Sequence, residues 1–251
     1  MTKGTGSQTI LRGLALLEAV ANDIHDLDGL AKATGLTRST AHRLLSTLVQ
    51  AGYLRHTPRG GYYLGPRLIE LGFKAHHQLH LPSIARPYLK QLAERVHDTV
   101  HLGILDGTEI IYIDKVVGDR ELQMASYIGA RAPAQSTALG KALVSSLPRE
   151  EWLEHFVPGL KRTPLTIDTP ERFVRELEHT RARGYAVDWG ENEEGIRCIG
   201  APIWDGGGRC VAAISVSTAT IYMPEERIQE LAPLVIETAN AISRELGWTD
   251  A

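Results

Sequence analysis

The stretch LAKATGLTRSTAHRLLSTLVQAGYL at residues 30–54 decides the fold of the N-terminal part of the chain. A short helical segment stops at Gly35, the residue type that most often ends a helix. Thr37 is suited to cap a second helix, which ends at Gly52. The apolar residues of this second helix recur at the i, i+3, i+4, i+7 spacing of one buried face. They are Ala41, Leu44, Leu45 and Leu48. Two helices joined by this tight turn predict a helix-turn-helix.

The segment before this stretch supplies a further helix. Residues 7–21 carry an apolar stripe at helical spacing, with Ser7 suited to cap its start. That stripe is Ile10, Leu14, Leu17 and Ala21. Asp28 is predicted to cap the short helix over residues 29–34.

The segment after the helix-turn-helix predicts a hairpin. Two short β-prone runs, Tyr53–Arg55 and Tyr62–Leu64, flank the turn sequence HTPRGG. Three helices followed by a basic hairpin predict a winged helix-turn-helix over residues 7–65.

The outward side of the 37–51 helix has the composition of a surface that meets DNA. It carries short hydroxyl side chains, which allow close approach to a groove, and arginines, which fork onto guanine or grip phosphate. The arginines of the hairpin suit contacts to the backbone or the minor groove. The predicted DNA contacts are Thr37, Arg38, Ser39, Thr40, His42, Arg43, Arg55 and Arg59. The alternative is an ordinary three-helix subdomain with a mixed polar face.

Charge and composition agree with this division of the chain. Residues 1–65 hold seven Lys and Arg against four Asp and Glu, whereas the whole chain has a formal net charge of -3. Such asymmetry is typical of a nucleic-acid module joined to a different one.

The sequence shows no apolar run of roughly 20 residues to span a bilayer and no signal-peptide pattern, so we expect a cytoplasmic protein. Cys198 and Cys210 lack the spacing of a disulfide framework or a structural zinc site.

The rest of the chain alternates between strand and helix patterns. A linker helix is predicted over residues 66–78, and a helix from residue 82 to 97 begins a second module. The predicted strands are 100–105, 110–116, 122–128, 185–189, 196–204 and 210–217. The other predicted helices are 137–146, 150–155, 171–183 and 224–246. Pro202 within a strand predicts an edge or a bulge. Hairpin-linked strands with helices grouped between them predict an α+β domain on a mainly antiparallel sheet with flanking helices.

Residues 180–218, TRARGYAVDWGENEEGIRCIGAPIWDGGGRCVAAISVST, resemble the effector-domain signature of the IclR family of bacterial transcription regulators. The positions that carry the resemblance are Arg183 to Asp188, Glu191, Gly195, Cys198, Ala201 to Ile203, Asp205 and Ile214 to Ser217. The helix start Gly140–Leu143 and the strand Tyr112–Val116 are also similar to that family. The resemblance runs from about residue 7 to 247.

The resemblance implies a linker helix at residues 66–80 and a GAF-like effector-binding domain at residues 81–247. It also implies a homodimer or a dimer of dimers that binds double-stranded operator DNA, and control of a catabolic operon by a small carboxylate. The effector contacts that it implies are Leu122, Met124, Ala138, Leu139, Asp188, Cys198, Ser215 and Ser217. Some members carry Gly-Ala in place of Ala138-Leu139, so the bulkier Leu139 is expected either to narrow the cavity or to shift the ligand. Leu11, Leu16 and Val20 on the first helix, or apolar positions of the linker, are candidates for the dimer contact.

Physical reasoning supports several of these positions. Ser215 and Ser217 are two residues apart on a strand, so their hydroxyls share one face and suit the two oxygens of one carboxylate. The start of the 137–146 helix offers free N–H groups to an anion. Asp188 suits hydroxyl groups rather than a carboxylate. The alternatives are that the serines are tolerated polar positions and that Cys198 is a small buried apolar residue.

Enzyme patterns are weak by comparison. The Gly140-Lys141 pair lacks the other residues of a P-loop, and no GxSxG or HExxH motif occurs. His76, His77 and His80 fall in the predicted linker, where a solvated or interface role is favoured over metal binding. A metal or base role for His97 and His101 beside Asp98 is the less favoured interpretation.

We therefore expect a ligand-responsive repressor that senses a sugar acid or keto acid, with no enzymatic activity and no cofactor. One alternative is an aromatic-acid-responsive activator of the same family. The other is a small-molecule-binding enzyme domain that uses Asp188 and Cys198 for hydrolysis.

Overall fold

The computed structural model describes residues 5–58, 60–78, 80–120 and 125–249, and the chain divides into two compact units between residues 79 and 80. The elements of the first unit are α1 (Thr5–Ala21), α2 (Leu27–Thr34), α3 (Arg38–Gln50), β1 (Leu54–Thr57), β2 (Gly61–Leu64) and α4 (Pro66–Gln78).

The helix-turn-helix and its wing are confirmed. Gly35 ends α2 in the left-handed region, with a φ of 64°. At the start of α3, the Thr37 hydroxyl accepts a hydrogen bond from the Thr40 N–H at 3.3 Å. β1 and β2 form an antiparallel hairpin with Leu54 opposite Leu64. Buried side chains of α1, α2 and α3 pack with Leu54 and Tyr62 of the hairpin in one core.

The cap predicted for α2 is wrong. Asp26, not Asp28, caps this helix, because its carboxylate accepts the Gly29 N–H at 2.8 Å and α2 begins at Leu27. Both aspartates precede the apolar pattern, so composition alone did not distinguish them.

The apolar stripe of residues 7–21 lies on a helix, as predicted, but most of it faces away from the core of the unit. Ile10 is 67% exposed and Leu14 is 49% exposed. The buried residues of this helix are Leu16, Ala19 and Val20. α1 carries apolar side chains on two sides, and helical spacing does not show which side faces α2 and α3. The helix begins at Thr5, so Ser7 is not its cap.

The second unit is a single six-stranded antiparallel sheet between two layers of helices. Its elements are α5 (Leu81–Val96), β3 (Thr99–Asp106), β4 (Glu109–Val116), β5 (Arg131–Pro133), α6 (Ala138–Ser145), a 3-10 helix (Arg149–His155), α7 (Pro170–Arg183), β6 (Ala186–Asp188), β7 (Ile196–Trp204), β8 (Cys210–Ala219), a short 3-10 turn (Thr220–Tyr222) and α8 (Glu225–Glu245). The strand order is β5-β4-β3-β8-β7-β6. One face of the sheet packs against α5 and α8, and the other against α6 and α7.

The third strand of the prediction is misplaced. Residues 121–124 lie outside the described residues, and residues 125–128 are not in a strand. The strand next to β4 is instead β5, which pairs Pro133 with Glu109. Three residues are too few to give a recognisable period-two pattern.

The prediction for Pro202 is confirmed. β6 begins at Ala186 opposite Gly200, so Pro202 lies beyond the reach of the edge strand and its missing N–H is not needed there. The Trp204 N–H is bonded at 2.9 Å to the Ser243 hydroxyl of α8, and the register with β8 shifts between Ile203 and Trp204.

Two glycines bring α6 unusually close to its surroundings. A Cβ on Gly140 would lie 2.2 Å from the Ala134 backbone, and a Cβ on Gly200 would lie 3.3 Å from the Ala138 backbone. The first distance is too short for any side chain unless the backbone moves, and the second is tighter than an ordinary Cβ contact. The N-terminal turn of α6 is therefore seated directly on β7.

We expect Gly140→Ala to lower the melting temperature, because its Cβ would force α6 away from backbone that cannot yield; overpacking of this kind costs about 1–3 kcal/mol or more. Gly72→Ala in α4 is the control, since nothing lies within 4 Å of its Cβ and alanine favours a helix by about 0.5–1 kcal/mol. Thermal unfolding followed by circular dichroism measures both. An unchanged melting temperature for Gly140→Ala would contradict the close approach.

Candidate functional sites

The predicted DNA-facing side chains of α3 lie at its first turns. Thr37, Ser39, His42 and Arg43 are exposed, whereas Thr40 is half-buried. The Thr37 hydroxyl lies 3.3 Å from the Ser39 hydroxyl and 2.9 Å from that of Thr40. The hydroxyl groups at this helix start therefore form a small connected cluster.

Arg38 has an intramolecular partner. Its Nη1 donates to both carboxylate oxygens of Asp28 in α2, at 2.5 and 2.6 Å, and both side chains are 67% exposed. Exposed ion pairs contribute little to stability, so this contact orients Arg38 more than it holds the fold.

Of the two wing arginines predicted to contact DNA, the structure describes Arg55. The Arg55 guanidinium lies 5.5 Å from the centre of the Tyr63 ring, and Tyr63 stacks on His25 at 4.5 Å. His25 Nδ1 lies 2.9 Å from the Tyr62 carbonyl oxygen, which ties the wing to the α1–α2 loop. Arg59 lies outside the described residues.

Sequence reasoning missed one part of this surface. A groove of about 720 Å³ runs between α3 and the wing. His42 lies in it together with Ser46, Gln50 and His56, of which only His42 was predicted. The missed signal is helical spacing, because Ser46 and Gln50 follow His42 at i+4 and i+8 on the same side of α3.

In the second unit, one small cavity collects the predicted effector contacts that the structure describes. Its volume is about 50 Å³, and it lies between the sheet and the start of α6. Six predicted residues line it, namely Ala138, Leu139, Asp188, Cys198, Ser215 and Ser217. Leu122 and Met124 lie outside the described residues.

Sheet register explains how distant residues meet there. Asp188 is opposite Cys198, and Cys198 is opposite Ser217, so three neighbouring strands present one polar row. Ser215 is two residues from Ser217 and faces the same side, whereas Ile214 and Val216 are buried in the core with α5 and α8. The shared face of the two serines is confirmed.

The start of α6 closes the cavity from above. The Thr137 hydroxyl accepts the Gly140 N–H at 3.1 Å and donates to the Pro133 carbonyl at 3.0 Å. Within the described part of the chain, no hydrogen-bond acceptor is recorded for the N–H groups of Ala138 and Leu139. These two donors lie at the positive end of the helix dipole, an arrangement that favours an anion.

Other polar side chains of the cavity escaped sequence reasoning. They are His101, Tyr112, Ser126, Thr137, Asn192 and Glu193. His101 Nε2 lies 2.7 Å from the Ser126 hydroxyl, and its Nδ1 lies 3.4 Å from that of Ser217. Burial, together with the charge of Lys115, lowers the pKa of His101 to about 3. This imidazole is therefore neutral at physiological pH.

Asp188 is a protonatable group within the cavity wall. Its Oδ1 accepts the N–H groups of Gly190 and Glu191 at 3.0 and 2.7 Å. Burial and the nearby Glu191 carboxylate raise the pKa of Asp188 to about 7, against the opposing charge of Lys141. Unlike an ionised aspartate, a protonated Asp188 can donate a hydrogen bond to a ligand carboxylate, which the sequence-based view of this residue did not include.

The thiol of the cavity is unsuited to nucleophilic chemistry. Burial, together with the Asp188 carboxylate, raises the pKa of Cys198 well above its ordinary value, so the thiol stays protonated. His97 pairs with Asp119, and Asp98 with Arg120 and Arg227, so these residues do not combine with His101. The described residues contain no group of three His, Cys, Asp or Glu side chains placed to hold a metal ion.

The raised pKa of Asp188 gives a stability prediction. Since the folded-state pKa, about 7, is above the ordinary 3.8, its contribution to stability is fully present below about pH 4 and is lost as pH rises through about 7. Asp188→Asn removes the buried charge but keeps the Oδ1 acceptor. We therefore expect a higher melting temperature than the native chain at about pH 8, with a gain that shrinks toward pH 4, at about 1.4 kcal/mol per pKa unit.

Asp205→Asn is the control, for which we expect the opposite change in stability. Burial acts to raise the pKa of Asp205, but hydrogen bonds from Arg209 and from the Gly207 N–H outweigh it and lower the pKa. This variant should lose stability at neutral pH. An Asp188→Asn variant that is less stable than the native chain at about pH 8 would contradict the raised pKa.

Comparisons with known proteins match both units. Residues 9–58 match the IclR helix-turn-helix domain, and residues 73–244 match the family described as bacterial transcriptional regulator IclR, C-terminal. The chain is 35% identical over 247 residues to the HTH-type transcriptional regulator XynR of Escherichia coli K12, which covers 96% of this chain and 98% of that protein. Within the described residues, no helix is long and apolar enough to cross a membrane.

Solved structures agree with this assignment. The repressor BlcR of Agobacterium tumefaciens is similar with a TM-score of 0.82 and 30% identity, over 96% of this chain and 97% of that one. An IclR homologue of Microbacterium hydrocarbonoxydans, solved with 4-hydroxybenzoate, is similar with a TM-score of 0.60 and 25% identity, over 95% of this chain and 98% of that one. The matched domains and relatives are DNA-binding transcriptional regulators and not enzymes. The chain belongs to the IclR family of bacterial transcriptional regulators.

Proposed function

We propose that the chain is a repressor of a catabolic operon that is controlled by a small hydroxy or keto acid bound in the polar cavity of the second unit. The observation that carries this proposal is that two backbone N–H groups of α6 without an acceptor in the described residues line one cavity with the hydroxyls of Ser215 and Ser217. Backbone donors at a helix start and paired hydroxyls together suit the two oxygens of a carboxylate.

The size of the cavity favours a short acid. Leu139 is buried and packs against Gly103, where an added Cβ would lie 3.0 Å from its Cδ1. The free volume is about 50 Å³, so a ligand of few atoms displaces less of the lining than a large ligand does. The described lining is rich in hydroxyl, imidazole and carboxyl groups, which suits a ligand that carries hydroxyl or keto oxygens.

An aromatic acid is the second candidate. The Microbacterium homologue was solved with 4-hydroxybenzoate, and an aromatic effector would accompany the activator alternative. Leu139 stands against it, because a benzene ring requires a larger displacement of this side chain than a short acid does.

The DNA-binding state is proposed to be a homodimer or a dimer of dimers. One winged helix buries too little surface for specific binding, so two copies on a two-fold operator are expected. Ile10, Leu11 and Leu14 form an exposed apolar side of α1 that a second copy would cover. Leu16 and Val20, also considered for this contact, are buried within the unit and do not take part.

A thermal-shift screen tests the choice of effector, because a ligand of the native state raises the melting temperature. We expect hydroxy and keto acids of few carbons to stabilise the chain and 4-hydroxybenzoate to leave it unchanged. Stabilisation by 4-hydroxybenzoate alone would favour the aromatic alternative.

Arg43→Ala should weaken operator binding, because Arg43 is exposed on α3 and no partner within the described residues engages its guanidinium. The expected loss is about 1–3 kcal/mol, with a reduction of the salt slope by about one if it contacts phosphate. Gel-shift titration at several salt concentrations measures both. Arg175→Ala on α7 removes the same charge from the other unit and should bind DNA as the native chain does. Equal weakening by the two variants would rule out a specific role for Arg43.

Ser215→Ala with Ser217→Ala should abolish the effect of the stabilising acid on DNA binding but leave DNA binding itself intact. The matched control is Ser145→Ala with Ser146→Ala, whose hydroxyls donate to the Ala142 carbonyl outside the cavity. Gel shifts with and without the acid measure the response. A normal response in the Ser215/Ser217 variant would place the site elsewhere.

A further inference from the structure

Lys141 is a charged side chain buried without any exposure, and no DNA or effector contact assigned above involves it. It lies in the first turn of α6, whose start forms the upper wall of the cavity. Its Nζ donates to the Val187 carbonyl and to Glu191 Oε1, the latter at 2.5 Å. Glu176 Oε1 of α7 lies 3.6 Å away.

The bonding partners of Lys141 lie on both sides of Asp188 in the chain, and Asp188 forms another wall of the cavity. Val187 directly precedes Asp188, and Glu191 closes the turn in which two N–H groups bind Asp188 Oδ1. One ammonium group therefore holds both ends of the segment that carries Asp188. Because Lys141 is fixed to α6, it also sets the distance from Asp188 to the N–H groups of Ala138 and Leu139.

Stability alone does not account for a lysine here. A buried ion pair costs desolvation that its Coulombic attraction only partly offsets, and apolar replacements of similar volume are often as stable. The neighbours Ala142, Leu143 and Val144 are apolar and buried, so an apolar side chain would be compatible with this layer. What an apolar side chain cannot supply is a directed bond to the Val187 carbonyl.

The geometry points to Lys141 as a positioning residue of the effector cavity, which holds the Asp188 turn against the N-terminal turn of α6. This inference rests on the proposed effector site. Glu176 also accepts from Arg183 at 2.8 Å, so the same network continues along α7. A ligand that moves either wall of the cavity must then move the other wall with it.

Alkylation of Cys198 provides a test without knowledge of the effector. The thiol lines the cavity, and iodoacetate and iodoacetamide differ only in that the first is a carboxylate and the second its neutral amide. Both react with the small thiolate fraction that the raised pKa of Cys198 leaves, and each forms a thioether with loss of iodide. The reactions are therefore slow, but the thiolate fraction cancels in the ratio of their rates. In a Cys210→Ser background, Cys198 is the single thiol. We define the iodoacetate preference as the ratio of the iodoacetate rate to the iodoacetamide rate, divided by the same ratio for free cysteine. This preference reports how well the cavity binds a carboxylate.

The decisive variant is Lys141→Met with Glu191→Gln, because it removes both charges and leaves no buried ion unpaired. We expect the double variant to recover most of the stability that Lys141→Met alone loses, and yet to lower the iodoacetate preference by about tenfold, equivalent to about 1.4 kcal/mol. Recovery of both stability and preference would show a purely structural charge pair and overturn the inference.

If the double variant does not fold, Glu191→Gln alone still tests whether the effect comes from the charge of Glu191 or from the bonds of Lys141. Here Lys141 still bonds the Val187 carbonyl and the new amide oxygen, so the preference should remain close to that of the parent. A loss as large as about tenfold in Glu191→Gln would assign the effect to the charge of Glu191 and would overturn the role of Lys141.

Failure of the effector site itself has a different signature. If the parent shows no preference for iodoacetate, or keeps its preference in Ser215→Ala with Ser217→Ala, the proposed carboxylate seat is wrong. The role of Lys141 is then read from iodoacetamide alone, with its rate divided by the thiolate fraction of Cys198, because loss of the Lys141 charge itself raises the pKa of the thiol. This corrected rate should rise in the Lys141/Glu191 double variant because the Asp188 turn is released. An unchanged corrected rate would overturn the positioning role independently.

Discussion

The close approach of α6 to the sheet is the constraint on which the second unit depends. It requires that residue 140 lacks a side chain, since a Cβ there would lie 2.2 Å from the Ala134 backbone, and it leaves little room for a side chain at residue 200. Thr137 fixes the first turn by bonding the Gly140 N–H and the Pro133 carbonyl. With the helix so close, Ala138 and Leu139 at its start line the same cavity as the polar row of the strands. The cavity is a consequence of this packing and not of a loop added to the fold.

The same burial decides what chemistry the cavity can perform. It holds His101 neutral, raises the pKa of Asp188 to about 7 and keeps the Cys198 thiol protonated. A nucleophile needs a lowered pKa or an adjacent base, whereas the thiol of Cys198 has a raised pKa. His101, beside the Ser217 hydroxyl, is a weak base because its pKa is lowered. Groups held uncharged are well suited to exchange hydrogen bonds with a ligand. The cavity is thus built for binding, in agreement with a family of regulators.

The sequence predicted most elements because their signals are local. Gly35 and Thr37 mark helix ends through backbone geometry and a short side chain, and strands with hairpin turns show period two. Its errors arose where two local solutions compete, as for Asp26 against Asp28 as a cap or the two apolar sides of α1. The cavity residues carried over from the family resemblance converge where the structure describes them. His101, Tyr112 and Asn192 were missed because only strand register and the α6 crossing bring them together, and neither is visible in local spacing.

The two units handle charge in opposite ways, and this difference bears on how a signal is read. The described arginines that are predicted to face DNA are exposed, and Arg38 has its Asp28 contact in water, where salt and phosphate compete easily. Behind the cavity, Lys141 and Glu191 are buried and paired, so salt screens them little and directed bonds fix their positions. In the proposed function, a ligand that enters the cavity acts first on geometry, by changing the distance between α6 and the Asp188 turn. The charges of the surface predicted to face DNA rearrange at low cost. This surface is therefore better suited to respond to such a change than to start it.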